Sequence, residues 1–176
     1  AQMSGPEFLH IDRQSLRFLG LFLAALAGLG IVFEGLPSVF QQLYMLPISH
    51  LSAALLHVLS IDTILDTTHL SDGFCELAVR RVIYRITFDC TGIFAVLAYT
   101  ALTVAYPATH RLRILGLALG LPAIFTFSVL RITVLGIVAR LEPAWIEVFH
   151  VYVMELATLG FMLFAWTYWL GQVRRA

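Results

Sequence analysis

Four long apolar runs, over residues 16–32, 93–106, 114–139 and 151–170, are separated by short polar stretches and set the rhythm of the chain. The first is too long and uninterrupted for a core helix and has no small-residue cleavage site directly after it. It predicts a true membrane span rather than a signal peptide. Gly28 and Gly30 near its end allow close helix contact. The second run stops at Pro107 and is followed by His110-Arg111-Leu112-Arg113. The third is expected to kink or break around Pro122, with Gly116 and Gly120 at a spacing that lets helices approach. The last carries Trp145 at one end and Trp166, Tyr168 and Trp169 at the other, as interfacial belts do. The predicted spans are residues 16–33, 92–108, 113–139 and 145–171.

Between the first two runs the pattern changes. Leu36-Pro37-Ser38 is a break. Residues 41–61 mix leucines with Gln41, Gln42, Pro47, Ser49, His50, Ser52 and His57, which predicts an amphipathic helix lying on or dipping into the outer leaflet. Residues 62–72 read as a polar loop. Over residues 74–88 the period becomes two: Val82, Tyr84, Ile86 and Phe88 on one side, Ile83, Arg85 and Thr87 on the other. A short extramembrane β-like hairpin is expected there. The fold class that follows is an all-α integral membrane bundle of about four spans. It carries an outer-leaflet amphipathic helix and that hairpin, in a single domain over residues 13–176. Residues 1–12 read as a flexible N-terminus, with residues 1–10 open to being a cloning remnant.

Composition agrees with a membrane protein. The chain is 60% hydrophobic and 12% charged, with a mean hydropathy of +0.87, which leaves a soluble domain too little polar surface. The net charge is zero, so nothing points to nucleic acid. The arginines fall in clusters instead: Arg13 with Arg17, Arg111 with Arg113, and Arg174 with Arg175. Basic clusters stay on the cytoplasmic side, and four spans satisfy all three at once. A fifth span over residues 41–61 would put one or more clusters on the wrong side. The expected location is the cytoplasmic (inner) membrane, multi-pass. From Arg113 to Arg131 is a helical rise of about 27 Å, nearly the hydrocarbon thickness, so Arg131 lies towards the outer face with Cys90 and His150.

The candidate chemistry gathers at Asp89-Cys90-Thr91-Gly92, where the alternating segment gives way to the second run. A thiol in the first turn of a membrane helix would be biased towards thiolate by the helix dipole, and thiolate is the form that attacks carbonyls. Asp89 is a candidate cap for that helix, although its charge would raise the thiol pKa. A buried free cysteine is otherwise just a small hydrophobe. Arg131 stands in an uncharged run, where a guanidinium either meets a partner or wet cavity or snorkels to the interface. His150 opens the last run. Glu147 would orient His150 only by facing inward, and as an exposed acid it is simply solvated. Glu155 is expected to find Arg131 or Arg140, while Thr126 and Ser128 bond their own helix. Cys75 is the other cysteine, and a Cys75–Cys90 disulfide would make Cys90 structural. His50 and His57 share a helix face near Asp66 and His69, but in no known short metal motif.

Cys90-Thr91-Gly92-Ile93, then Leu130-Arg131-Ile132, then His150 at the start of the final helix, resemble the exosortase/archaeosortase family of membrane transpeptidases. The likeness covers roughly residues 47–170. One departure is Thr126-Phe127-Ser128 where an Asn often precedes the family's arginine; another is the lack of the extra N-terminal helices of larger members. The resemblance implies a membrane-embedded cysteine transpeptidase or protease, its active site facing the exterior or periplasm. Its substrates would be secreted proteins bearing a short motif, a C-terminal hydrophobic helix and a basic tail, with a membrane lipid among the possible acyl acceptors. It also implies roles: Cys90 as nucleophile, His150 as general acid/base, Arg131 stabilising thiolate or oxyanion. No cofactor and no metal are called for. Two other classes remain open on the residues alone. One is a small channel or transporter component lined by Arg131, Glu155 and His150; the other is a non-catalytic membrane scaffold.

Overall fold

The computed structural model describes residues 13–80 and 82–175, so the flexible terminus expected over residues 1–12 lies outside them. α1, Arg13–Gly35, is 23 residues long and rich in leucine, alanine and phenylalanine, about 35 Å at helical rise. It has no buried residue and leaves Leu16, Leu21 and Ile31 exposed. Gly28 and Gly30, expected at a helix contact, face open space instead.

Pro37 starts α2, Pro37–Phe40, as proline does in a first turn where its missing N–H costs nothing. The helix loosens into a π-turn, Gln41–Met45, and continues as α3, Leu46–Val58. α3 turns its serines inward: Ser52 donates to the Val129 carbonyl at 3.2 Å and Ser49 to the Met45 carbonyl at 2.9 Å. Leu51, Leu55 and Val58 are left on the outside. Ser60, at φ 59, closes the helix with Ser60 N–H on His57 and Ile61 N–H on Leu56, a Schellman arrangement with serine where glycine is usual.

A three-stranded antiparallel sheet follows, in the order β1-β2-β3: Thr63–Asp66, Phe74–Val79 and Val82–Thr87. The expected hairpin is β2–β3, turned at Arg80 with φ 55 and registered Leu77↔Tyr84 and Cys75↔Ile86. β1 corrects the reading of residues 62–72 as loop throughout. Cys75, Leu77, Val79 and Ile86 are fully buried against Met45, Ile48, Leu56 and Ile132. α3 is thus sandwiched between sheet and bundle.

α4, Phe88–Thr91, is a single turn. Gly92, at φ 71, separates it from α5, Ile93–Ala105. α6, His110–Leu141, runs through Pro122 as one helix, so of the kink or break expected there the break does not occur. A 3₁₀ turn, Pro143–Trp145, then α7, Ile146–Val148, and a π-turn, Phe149–Val153, lead into α8, Met154–Val173. Among the described residues, three helical stretches are long and apolar enough to cross a membrane: Arg13–Gly35, His110–Leu141 and Pro143–Val173. α5, with 13 residues, rises about 20 Å, short of the roughly 30 Å of hydrocarbon.

Side-chain contacts fix the relative directions. Phe33 at the end of α1 meets Phe94 at the start of α5, and Phe18 near its start meets Tyr106 just past α5. Arg113 donates to the Tyr106 carbonyl at 3.0 Å, and Trp169 donates to the Leu112 carbonyl at 2.8 Å. α1, α5, α6 and α8 therefore alternate in direction. The three arginine clusters share the end marked by Tyr106, Trp166 and Trp169, and the sheet caps the opposite end. Gly116 and Gly120 do serve packing, though the partners are rings: an added Cβ would come within 2.4 Å of Trp169 and 2.2 Å of Tyr99.

Candidate active site

The sheet end of the bundle holds Cys90, Arg131 and His150. Thr87 leaves β3 extended, at φ −100 and ψ 176, and the chain folds at once into the turn that carries Cys90. The cysteine therefore does not sit in the first turn of a long helix, as the sequence reading had it. It rides on its own short turn, closed by a left-handed glycine. Asp89 makes no side-chain cap and is exposed. The tight closure needs glycine twice over, since at φ 71 a Cβ is strained and would also lie 2.9 Å from Ser128 Oγ.

Cys90 is 4% exposed. Its Sγ lies 3.4 Å from His150 Nε2 and 3.5 Å from Thr87 Oγ1, with the Arg85 carbonyl at 3.6 Å. Burial pushes the thiol up, but hydrogen bonds from His150 and Thr87 outweigh it and hold Cys90 below the usual thiol range. A nearby base and a depressed thiol are the two properties an attacking cysteine needs. His150 is presented by the π-turn, a local widening of the helix often found at functional positions. Its Nδ1 is buried with no protein partner, and Glu147 is exposed. Among the described residues, Cys90 and His150 thus form a pair without an orienting carboxylate.

A narrow cavity of about 30 Å³ adjoins the pair, lined by Tyr84, Ile86, Ile132, Leu135 and Ile146 among others. That space holds a water molecule or two.

Arg131 is brought to the same end but to a different cavity. It is 2% exposed, pairs with Glu155 and donates to Thr158 Oγ1 at 3.0 Å. Thr158 in turn donates to the Met154 carbonyl at 2.7 Å. The pairing of Glu155 with Arg131 is one of the two expected from the sequence; Arg140 goes to the Ser60 carbonyl instead. Arg131, Glu155, Asp89 and Gly92 line a cleft of about 240 Å³ between α5 and α8, continued by Phe94, Ala98 and Met162. Helical geometry explains the split. Ile132 and Arg131 are neighbours on α6, and one residue rotates the side chain by about 100°, so Ile132 faces Cys90 while Arg131 faces α8.

The other sequence candidates resolve simply. Cys75 and Cys90 are both free thiols, so the disulfide alternative is not realised. Thr126 and Ser128 donate to the Pro122 and Ile124 carbonyls of their own helix. His57 meets Thr63 at 3.3 Å and His69 meets Asp72 at 3.1 Å. Among the described residues no His, Cys, Asp and Glu gather as metal ligands do. Sequence reasoning missed Thr87 as a thiol partner and Tyr84 as a wall of the cavity. The strand alternation that puts Tyr84 and Ile86 on one face was the signal for Tyr84. No family model, curated protein or solved structure matches this chain.

Proposed function

We propose that this protein is a membrane-embedded cysteine transpeptidase or protease of the exosortase/archaeosortase kind. The observation that carries the reading is the contact between Cys90 Sγ and His150 Nε2 at 3.4 Å, made across 60 residues at the end opposite the three arginine clusters. In this reading α1, α5, α6 and α8 are four spans, with the short α5 crossing where its longer neighbours flank it. Arg13, Arg17, Arg111, Arg113, Arg174 and Arg175 face the cytoplasm. α3 and the sheet sit at the outer face, with Leu51, Leu55 and Val58 turned to the outer leaflet.

Cys90 attacks the scissile carbonyl of a tailed secreted protein: the S–C bond forms, then the C–N bond breaks to leave a thioester. His150 takes the thiol proton and returns it to the departing amine. A lipid head-group, an amine or water then accepts the acyl group. Arg131 contributes from the adjoining cleft, where its pairing with Glu155 and Thr158 fixes α8 just after the turn that presents His150. The cleft between α5 and α8 is lined by Phe94, Ala98, Leu159 and Met162, apolar side chains that suit a substrate whose recognition element is itself a hydrophobic helix.

Thiol alkylation across pH in the detergent-solubilised protein tests this, with Cys75→Ala and Cys90→Ala for assignment. Fast labelling at Cys90 that slows in His150→Ala supports the nucleophile. An inert Cys90 sinks it, and the polar residues then read as structural or as a transport path.

A further inference from the structure

Granting the acyl-transfer reading above, attack by Cys90 puts negative charge on the substrate carbonyl oxygen, and that oxygen needs a hydrogen-bond donor in place beforehand. Arg131 is turned to Glu155 and Thr158 in the neighbouring cleft. Arg85 borders the Cys90 cavity, but its guanidinium is spent on Glu76 at 3.1 Å and over the Phe74 ring at 4.7 Å. Among the side chains lining the cavity, one hydroxyl remains, that of Tyr84.

Tyr84 is held on β3 opposite Leu77, with its ring in the core between sheet and α6. Its hydroxyl donates to the Ile132 carbonyl at 3.4 Å, at the long end for an O–H bond. That carbonyl lies inside α6, where the backbone N–H four residues on is its regular partner. The phenol therefore gives up little by turning to a better acceptor. Gly136 makes room for it: a Cβ there would stand 3.2 Å from the Tyr84 hydroxyl and 2.6 Å from Leu56.

We propose that Tyr84 is a catalytic residue whose phenol O–H donates to the oxyanion formed when Cys90 attacks a carbonyl. The thiolate lone pair forms the S–C bond and the carbonyl π pair moves onto oxygen. Tyr84 stabilises that charge without surrendering its proton, and collapse of the intermediate expels the leaving group to give the thioester. Burial pushes the phenol above its usual range, so it stays a donor wherever the thiolate exists.

The test compares two electrophiles on the solubilised 176-residue chain in a Cys75→Ala background. Iodoacetamide alkylates by direct displacement and forms no oxyanion; p-nitrophenyl acetate acylates through a tetrahedral intermediate. Tyr84→Phe keeps the ring, and its alkylation rate doubles as a check on the fold. The expected result is acylation slowed about 10²-fold, as for loss of one oxyanion donor, with alkylation unchanged. Equal slowing of both reactions would show that Tyr84 only positions the thiol and would overturn the role. No slowing of acylation would overturn it as well. If Cys90 with an intact Tyr84 alkylates no faster than Cys75 does in a Cys90→Ala variant, the acyl-transfer reading fails first and takes the role of Tyr84 with it.

Discussion

Two free cysteines stand some 15 residues apart in sequence, both in the same core, at 0% and 4% exposure. Cys75 lies mid-strand on β2 opposite Ile86, and burial pushes its thiol up. Cys90 is buried almost as deeply, yet hydrogen bonds from His150 and Thr87 bring its thiol below the usual range. Burial is common to both and tells them apart in nothing. What separates them is who supplies the neighbours: regular strand pairing at Cys75, and a one-turn helix facing a π-turn at Cys90. Irregular backbone next to a base is where a thiol becomes a reagent.

The sharpest way to break that contrast is to remove each sulfur in turn. Cys90→Ala is expected to abolish fast iodoacetamide labelling near neutral pH, leaving a residual rate about 10²-fold lower from Cys75. Cys75→Ala should keep the fast phase and cost only about 1 kcal/mol of stability from the lost buried atoms. Comparable rates in the two variants would erase the distinction.

Next in size is the turn that makes Cys90 different. Gly92→Ala puts a Cβ at φ 71 and 2.9 Å from Ser128 Oγ. Left-handed backbone and overpacking together predict a loss of about 2 kcal/mol, or roughly 4–8 °C in Tm for a chain of this size. The fast labelling phase should weaken with it. A variant with unchanged Tm would mean the turn tolerates a side chain and does not set the cysteine's geometry.

The Arg131–Glu155 pair gives a smaller and asymmetric effect. Glu155→Gln leaves a guanidinium that is 2% exposed without its counter-charge. Arg131→Met leaves only a carboxylate that is already half-exposed and free to turn outward. Losing one partner is costly in proportion to the burial of the charge left behind. Glu155→Gln should therefore cost about 1 kcal/mol more than Arg131→Met by thermal unfolding, after allowing for screening at the exposed carboxylate. The reverse order would show that the pair does not hold α8.

Much of this was legible in the residues, and the exceptions have physical causes. Long apolar runs announced α1, α6 and α8 to within a few residues, because length and hydropathy are local properties. The strand β1 was hidden, since Thr63-Ile64-Leu65-Asp66 is too short to show a period and is surrounded by polar residues. The segment around α3 read as an amphipathic outer-leaflet helix from its polar content, and what could not be read is that Ser49 and Ser52 spend their hydroxyls on carbonyls inside the core. Cys90 and His150 could be named but not their contact, which depends on a π-turn. The facing of Arg131 was beyond reach for a similar reason: rotation about a helix axis is fixed by tertiary packing.

The smallest effect separates the two cysteines by proton affinity. A folded-state pKa below the unfolded one means that the thiolate persists as pH falls, until pH passes through the folded value. Cys90 should therefore keep reacting below the usual thiol range, while Cys75 requires a pH above it. The thiolate at Cys90 is held partly by His150 and partly by Thr87, so His150→Ala should move the midpoint of Cys90 labelling upward without moving that of Cys75. At pH well above both midpoints the variant and the parent should label alike, because the thiol is then ionised in either. A uniform slowing at all pH values would mean that His150 governs access to the sulfur rather than its proton. An unmoved midpoint would leave Thr87 and the turn itself as the cause of the depressed thiol.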